Sequence, residues 1–373
     1  MTQTQSYPVK SPEELEKWYV RSSYQAFVEG EGAPLYQGSA IEDLNALELA
    51  DWERRGGRVA YTRLADQENM TLQIVEIPPG GELKPEHHMY DATMLVIKGI
   101  GITNIWQPDE RPQTVEWHEG SLLALPLNAW HQEFNASGTE PCRFVIGGNM
   151  GQMINHYHNL DFVFNNPYVF RDRYSSEHPD YFSNTPTHWS LRLWETNFIA
   201  DVRQFAVEAW QEKGFRTGIS RLSMARTSLG LHILDVGEGT YATAHRHAAG
   251  AHVVCTGGTG YELMYFEHEE ANPRRVELHP YGVIAPKNAE FHQHFNTGRG
   301  PMRQLAFRLA GAARYGTGSA YNPRGASQTT DPHATGFQID YEKEVPGIRE
   351  AYYQELERNG VELRLPPVSQ GAS

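Results

Sequence analysis

The chain has 373 residues, of which 39% are hydrophobic, and a formal net charge of −14. This length predicts about two domains, and the acidic surface excludes phosphate backbones and anionic lipid headgroups, so neither nucleic acid nor membrane is expected as a partner. Cys142 and Cys255 are the two cysteines, which excludes a disulfide framework, and without the apolar run of a signal peptide a cytoplasmic protein is expected.

Helices are predicted at the N-terminal end. Ser11, Pro12 and Glu14 suit the N-cap, the first position and the capping box of a helix. A second short helix is predicted over residues 40–57, where Gly56 and Gly57 would end it. Residues 1–57 are therefore expected to form a helical extension.

From residue 58 the pattern becomes typical of β-structure. Short runs rich in Val, Ile, Leu and Tyr alternate with Gly, Pro and Asn turns over residues 58–150 and again over 218–311. Such closely spaced short strands predict an all-β, mainly antiparallel sandwich or barrel in each region. Residues 151–217 are interpreted as a linker between the two domains, and residues 312–373 as a loop followed by a C-terminal helix.

The two β regions carry the same motif. Each has a glycine, two polar residues spaced two apart and a glycine, and then a glycine, a proline, a histidine and an asparagine. In the first region these residues are Gly80, Glu86, His88, Gly99, Gly120, Pro126, His131 and Asn135. In the second region they are Gly239, His245, His247, Gly258, Gly282, Pro286, His292 and Asn296. Because His88 and His247 lie 159 residues apart, and His131 and His292 lie 161 apart, we infer a duplicated domain.

These two motifs resemble those of the cupin superfamily. The layout resembles bicupins, especially the gentisate 1,2-dioxygenase-like group, and also sequences labelled ethanolamine ammonia-lyase-activating proteins. The resemblance implies two double-stranded β-helix, or jelly-roll, barrels, each with a metal site inside its mouth. In the gentisate-like group, His-x-His and one later histidine hold Fe(II). Cupins often pair through their sheets, so a homo-oligomer is expected.

The second region is predicted to hold the metal. His245 and His247 share one face of a strand, and His292 comes from a later strand, so the three imidazoles are expected to converge. Three neutral ligands leave positions open for substrate and dioxygen. His252 lies where many cupins place a glutamate ligand, so it is interpreted either as a fourth ligand or as a catalytic acid–base group beside the metal. His294 is expected next to the metal or at the barrel rim.

The first region differs at the metal positions. Glu86, His88 and His131 are able to form a site of two histidines and one carboxylate, but Ala92 stands where His252 stands in the second region. We therefore favour a copy that has kept only a structural role.

Arg303 or Arg308 on a late strand is a candidate clamp for a substrate carboxylate, although a surface ion pair is favoured for each.

The function predicted from these residues is that of an Fe(II)-dependent, ring-cleaving type of dioxygenase. It would cleave a carbon–carbon bond in a small aromatic or enolisable substrate that chelates the metal, with dioxygen as the second substrate and no organic cofactor. One alternative is an oxygen-independent decarboxylase, isomerase or hydrolase that uses Mn, Zn or Ni. Another is a non-enzymatic accessory protein.

Overall fold

The computed structural model describes residues 9–14, 21–189, 192–247, 250–309 and 338–366. Its helices are α1 (Ser23–Gly30), α2 (Met150–Tyr157), α3 (Leu160–Phe164) and α4 (Ile348–Asn359), with a 3-10 turn at Gln211–Lys213. Residues 12–14 are also helical, and the remaining regular structure among the described residues consists of β-strands arranged in four sheets. Every helix among the described residues is too short or too polar to cross a bilayer.

The first barrel consists of two sheets. Its larger sheet contains β1 (Leu35–Gly38), β3 (Ala50–Asp51), β4 (Arg58–Leu64), β5 (Thr71–Ile77), β6 (Ala92–Lys98), β9 (Leu122–Leu125), β11 (Cys142–Gly148) and β14 (Phe198–Ile199). Its smaller sheet contains β7 (Ile100–Trp106), β8 (Gln113–His118) and β10 (Trp130–Asn135). Nearly all pairings are antiparallel, but β1 runs parallel to β4.

The second barrel repeats this plan. Its larger sheet contains β2 (Ala40–Ile41), β12 (Thr187–His188), β13 (Leu193–Glu195), β15 (Glu208–Ala209), β16 (Thr217–Ser223), β17 (Leu231–Val236), β19 (Ala251–Gly257), β22 (Val283–Ile284) and β24 (Met302–Arg308). Its smaller sheet contains β18 (Ala244–His245), β20 (Gly260–Tyr265), β21 (Arg274–Leu278), β23 (Phe291–Asn296) and β25 (Gln338–Ile339).

The strand order makes the duplication visible. The order β4-β5-β11-β6-β9 in the first barrel recurs as β16-β17-β24-β19-β22 in the second, and β10-β7-β8 recurs as β23-β20-β21. The predicted fold class is therefore confirmed: the protein is mainly antiparallel β, with two barrels of equivalent strand order and few helices among the described residues. The equivalent strands place the two polar motifs at equivalent positions of the two barrels.

Segments outside the repeats tie the barrels together. The N-terminal segment supplies β1 and β3 to the first barrel and β2 to the second, and the segment between the barrels supplies β14 to the first barrel and β13 to the second. The two large sheets also meet across a shared apolar core. Gly147 lies so close to Phe307 of the second barrel that a Cβ on Gly147 would be 2.4 Å from the Phe307 ring. The barrels are thus packed sheet against sheet.

The helix predicted over residues 40–57 is wrong, because tertiary contacts impose a different conformation. β2 pairs with β22 and β3 pairs with β4. Between these strands, Arg143 donates to the carbonyl oxygens of Leu44 and Asn45 at 3.1 and 2.6 Å, so those carbonyls are not satisfied within a helix. Gly57 has φ +68°, and a Cβ there would lie 2.6 Å from the Glu76 carbonyl oxygen.

The other two helix predictions agree with the described residues. Ser11 N donates to the Glu14 carboxylate at 3.0 Å, and Glu14 N donates to Ser11 Oγ at 3.2 Å, which is the predicted capping box. Residues 15–20 lie outside the described residues. At the other end, α4 confirms the C-terminal helix and covers the outer face of the small sheet of the second barrel, where Tyr352 packs on Phe295. The predicted loop that precedes this helix falls on residues 310–337, which lie outside the described residues.

Candidate metal centres

Three histidines converge inside the second barrel. We call His245, His247 and His292 the second-barrel triad. His245 on β18 is paired with His292 on β23, and His247 follows two residues after His245. One ring nitrogen of each lies within 4.8 Å of the other two, and the ring centroids of His245 and His292 are 4.0 Å apart. The predicted convergence is therefore present in the geometry.

The electrostatics of the triad suit a metal ion. Burial lowers the pKa of His245 and His292 well below the usual range, and the neighbouring histidines lower it further. Both rings are therefore neutral at physiological pH and each has a nitrogen lone pair available. The Nδ1 atom of His245 is buried and has no hydrogen-bond partner among the described residues. An orphaned buried nitrogen is costly, and coordination of a cation would satisfy it.

A buried acid–base pair lies beside the triad. His294 lies two residues after His292 on β23, and the two ring centroids are 5.5 Å apart. His294 Nδ1 shares a very short hydrogen bond with the Glu262 carboxylate, to which Gln304 also donates at 3.1 Å. Burial raises the pKa of Glu262 above its usual value. The expected position of His294, next to the triad, is the one observed.

The structure does not bring His252 to this site. Its neighbours on β19, Ala251 and Val253, line the cavity, and successive side chains of a strand point to opposite faces. His252 is instead paired with Phe307, which contacts Gly147 of the first barrel. The prediction of His252 as a metal ligand or catalytic group is thus corrected: it lies on the outer face of its sheet, toward the other barrel.

His252 has a distinct consequence for stability. It is fully buried, neither ring nitrogen has a hydrogen-bond partner among the described residues, and burial lowers its pKa to about 3. Between about pH 6.5 and pH 3 the unfolded chain binds a proton at His252 that the folded chain does not. Stability contributed by the neutral ring is therefore present above pH 6.5 and is lost as the pH falls, at about 1.4 kcal/mol per pH unit.

We expect the free energy of unfolding of His252→Leu, relative to that of the wild type, to increase progressively as the pH falls below 6.5. Above that pH the difference between the two proteins should stay constant. Urea unfolding between pH 4 and pH 8 measures this, with His118→Leu at the exposed surface as the matched control. Parallel stability curves for wild type and His252→Leu over the whole range would contradict the assignment.

The second-barrel triad opens into a cavity of about 190 Å³. Its described lining residues are Trp210, Lys213, Ile219, Arg221, His232, Leu234, His245, Arg246, His247, Ala251, Val253, His292, His294, Gln304, Arg308 and Gln338. Sequence reasoning missed Trp210, Lys213, Arg221 and His232. Arg221 lies two residues after the apolar Ile219 on β16, and His232 lies two residues before the apolar Leu234 on β17, so both share the core-facing side of their strands. Polar residues at core-facing positions could therefore have indicated the cavity from the sequence. Lys213 belongs to the presumed linker, where no periodicity pointed to it.

The two candidate clamp arginines have different roles. Arg303 donates to both oxygens of Asp235 at 2.7 Å, so it forms the ion pair favoured from the sequence, but the pair is buried and not at the surface. Arg308, on the opposite strand face, lines the cavity instead.

A second triad lies at the equivalent place in the first barrel. We call Glu86, His88 and His131 the first-barrel triad; one ligand atom of each lies within 4.8 Å of the other two. His88 Nδ1 bonds the Tyr90 carbonyl oxygen at 2.9 Å, and His131 Nδ1 bonds Glu133 at 2.6 Å. Both Nε2 atoms are buried and lack partners among the described residues. Such anchoring through Nδ1 orients a histidine for coordination through Nε2.

Two arginines compete with a metal for Glu86. Arg54 makes a very short ion pair with the Glu86 carboxylate, and Arg55 lies 3.5 Å from it and 2.8 Å from Glu133. Burial opposes ionisation of Glu86, but Arg54 and Arg55 hold the pKa of its carboxyl well below the usual range. A cation bound to the first-barrel triad would have to displace Arg54 or tolerate its charge. The second-barrel triad includes no carboxylate held by arginine.

We expect purified protein to bind a single metal equivalent, and Arg54→Gln to acquire a second by releasing Glu86. Elemental analysis after metal loading and desalting measures this. In the variant, added metal should also raise the unfolding temperature more than in the wild type, because it neutralises Glu86. If the wild type instead holds two tightly bound metal equivalents, Arg54 does not prevent metal binding at the first-barrel triad.

No protein-family model matches the chain, and no curated protein matches it in sequence. Among solved structures, vicilin from Corylus avellana (hazelnut) is similar with a TM-score of 0.47 and 14% identity, over 78% of this chain and 93% of the vicilin chain. A mutant of Bacillus subtilis oxalate decarboxylase has a TM-score of 0.47 and 13% identity, over 74% and 78% of the two chains. Vicilin from Solanum lycopersicum (tomato) has a TM-score of 0.46 and 15% identity, over 74% and 89%.

Proposed function

We propose that this protein is a metal-dependent oxidoreductase, a non-haem Fe(II) dioxygenase that cleaves a carbon–carbon bond in a small aromatic or enolisable substrate. The observation that supports this most directly is the second-barrel triad, three imidazoles that converge at a cavity. A set of three neutral ligands leaves the positive charge of the metal available to an anionic chelating substrate. The gentisate-like layout of the motifs agrees with this reading.

His245, His247 and His292 would hold the ion. When bound, Fe(II) supplies positions for the chelating oxygens of a substrate and for dioxygen, and a route for electron density between them. The protein contributes a small cavity that limits water and fixes the substrate in one orientation. We assign the proton-handling role to the pair His294–Glu262, because it is buried directly beside the triad whereas His252 faces away.

Oxygen uptake tests the proposal. Metal-free protein is loaded with Fe(II) under anaerobic conditions and then exposed to oxygen with a panel of phenolic acids and 1,3-dicarbonyl compounds. Consumption of oxygen by the wild type, abolished in His245→Ala and retained in the surface control His118→Ala, is the expected result. Turnover without oxygen when Mn, Zn or Ni replaces iron would favour a decarboxylase, isomerase or hydrolase, and a protein that binds no metal would favour an accessory role.

We propose that the enzyme acts in the cytoplasm, as a homo-oligomer, with only its substrate and dioxygen as small-molecule partners. Light scattering coupled to size-exclusion chromatography measures the assembly state, and a monomer at micromolar concentration would contradict the oligomer.

A further inference from the structure

A C-terminal segment lies against both strands that carry the second-barrel triad. We call residues 338–366 the C-terminal strap. Its first element is β25 (Gln338–Ile339), which pairs with β18 so that Gln338 is opposite His245. On its other side β18 pairs with β23, where His245 is opposite His292. The short strand β18 is therefore held between β23 and the C-terminal strap.

A tyrosine of α4 links the two chain segments that carry the triad. Tyr352 is fully buried, and its hydroxyl lies 2.8 Å from the carbonyl oxygen of Thr240 and 2.5 Å from that of Asn296. Thr240 precedes β18 in the chain, and Asn296 is the last residue of β23. A single hydroxyl therefore connects the segment that leads to His245 with the strand that carries His292.

A carboxylate of the C-terminal strap makes a second link between the same segments. Glu344 accepts hydrogen bonds from the Tyr241 hydroxyl at 2.5 Å and from Gln293 Nε2 at 3.4 Å. Gln293 directly follows His292 on β23, so its side chain points to the opposite face of the strand. The Tyr341 hydroxyl also donates to the carbonyl oxygen of Tyr241, at 2.6 Å. These contacts join β23 to the segment before β18 from outside the barrel.

The C-terminal strap also forms part of the cavity wall. Gln338 lines the cavity, and its Nε2 atom donates to the carbonyl oxygen of Glu212 at 2.5 Å. The Tyr341 hydroxyl accepts a hydrogen bond from Phe215 N at 3.1 Å. Glu212 belongs to the 3-10 turn Gln211–Lys213. The strap thus contacts this turn, β18 and β23, which are three of the elements around the triad.

The convergence of the three imidazoles depends on how β18 lies relative to β23. β18 comprises two residues, and His245 with His292 is the residue pair that it shares with β23. Release of the strap would leave β18 at the edge of the small sheet. Ligands that are held in place before an ion arrives lose less conformational entropy on binding it, so the affinity is higher.

We propose that Tyr352 and Glu344 are positioning residues that preassemble the second-barrel triad, and that docking of the C-terminal strap is coupled to metal binding. Such coupling is reciprocal: docking of the strap raises the metal affinity, and bound metal strengthens the docking by the same factor. Neither residue lines the cavity, so both act through the strands. This deepens the proposed function and rests only on its assignment of a metal to the triad.

Hydrogen exchange of the wild-type protein tests the coupling without any variant. Metal-free protein is compared by mass spectrometry with protein that has been loaded with Fe(II) under anaerobic conditions. Amides of α4 should exchange at least about tenfold more slowly with the metal, whereas those of α1 on the first barrel should not change. In His292→Ala, which lacks one ligand, Fe(II) should not slow the exchange of α4.

Anaerobic calorimetric titration with Fe(II) tests the two positioning residues. Tyr352→Phe should weaken binding by about tenfold or more, because it removes the hydroxyl link and keeps the ring. Tyr353→Phe, at an exposed tyrosine of the same helix, is the matched control and should bind like the wild type. Glu344→Ala should also weaken binding, while Glu344→Gln, which still accepts a hydrogen bond from Tyr241, should retain most of the affinity. Unfolding temperatures of the metal-free variants separate lost affinity from lost folding.

Iron that binds and leaves the exchange of α4 unchanged would overturn the coupling. A folded Tyr352→Phe variant with the same Fe(II) affinity as Tyr353→Phe would overturn the positioning role. Absence of Fe(II) binding to the wild type would reject the metal site, and the proposed function with it. Because titration and exchange are carried out without oxygen, coupling that is present in a protein with no oxygen uptake would reject only the dioxygenase.

Discussion

His292→Ala is expected to remove the metal from the second barrel and abolish turnover. His292 is the member of the second-barrel triad that lies between the other two, with ring centroids 4.0 Å from His245 and 4.8 Å from His247. Loss of outer-shell partners of a ligand already costs roughly 10–100-fold in metal affinity or activity, so loss of a ligand itself should cost more than about 100-fold. Elemental analysis and oxygen uptake of the same preparation measure both effects.

The control for this prediction is the equivalent histidine of the first barrel. His131→Ala should leave the bound iron and the oxygen uptake close to the wild-type values, since Arg54 and Arg55 occupy Glu86 beside it. If instead His131→Ala removes the metal and His292→Ala does not, the active centre lies in the first barrel and the proposal for the second is wrong.

Arg55→Met is expected to destabilise the first barrel by about 3–5 kcal/mol, the usual cost of leaving a buried charge without its partner. Arg55 is 1% exposed, and it contacts Glu86, which is 5% exposed, and Glu133, which is fully buried. Burial opposes ionisation of Glu133, but Arg55 and His131 hold its pKa at about 2, so the carboxylate is charged at neutral pH. Urea unfolding at pH 7 measures the loss.

Arg171→Met provides the matched comparison. Arg171 pairs with Glu110 at 2.5 Å but is 56% exposed, and exposed pairs are worth roughly 0–1 kcal/mol. A loss for Arg55→Met no larger than that for Arg171→Met would show that the buried network is not needed for stability. The double variant Arg55→Met/Glu133→Gln should recover part of the loss, because it removes the uncompensated charge.

The two barrels share equivalent strands but differ in the residues that surround their triads. Equivalent strands bring a triad together in each, but in the first barrel two arginines from the N-terminal segment neutralise the carboxylate. In the second barrel the triad lies at a cavity, and none of the described residues that line it is Asp or Glu. The two barrels therefore differ at the triad: the second-barrel triad faces a cavity, whereas Glu86 of the first-barrel triad is held in ion pairs.

The sequence alone was sufficient to predict the duplicated domain, the β fold class and the residues of both triads. The reason is local: strand alternation places residues two apart on one face, and the glycine and proline spacing repeats the same turns in both halves. His245, His247 and His292 could therefore be grouped without coordinates, and so could Glu86, His88 and His131.

Only the tertiary structure determined which way His252 faces and where Arg54 and Lys213 lie. The face of His252 depends on the residue at which β19 begins, and one residue of shift reverses every side chain of a strand. Arg54 and Lys213 reach the two centres from segments outside the repeats, so their positions depend on how those segments pack, and local pattern does not encode that. Periodicity predicts which residues share a face, whereas the packing of distant segments determines which charges meet there.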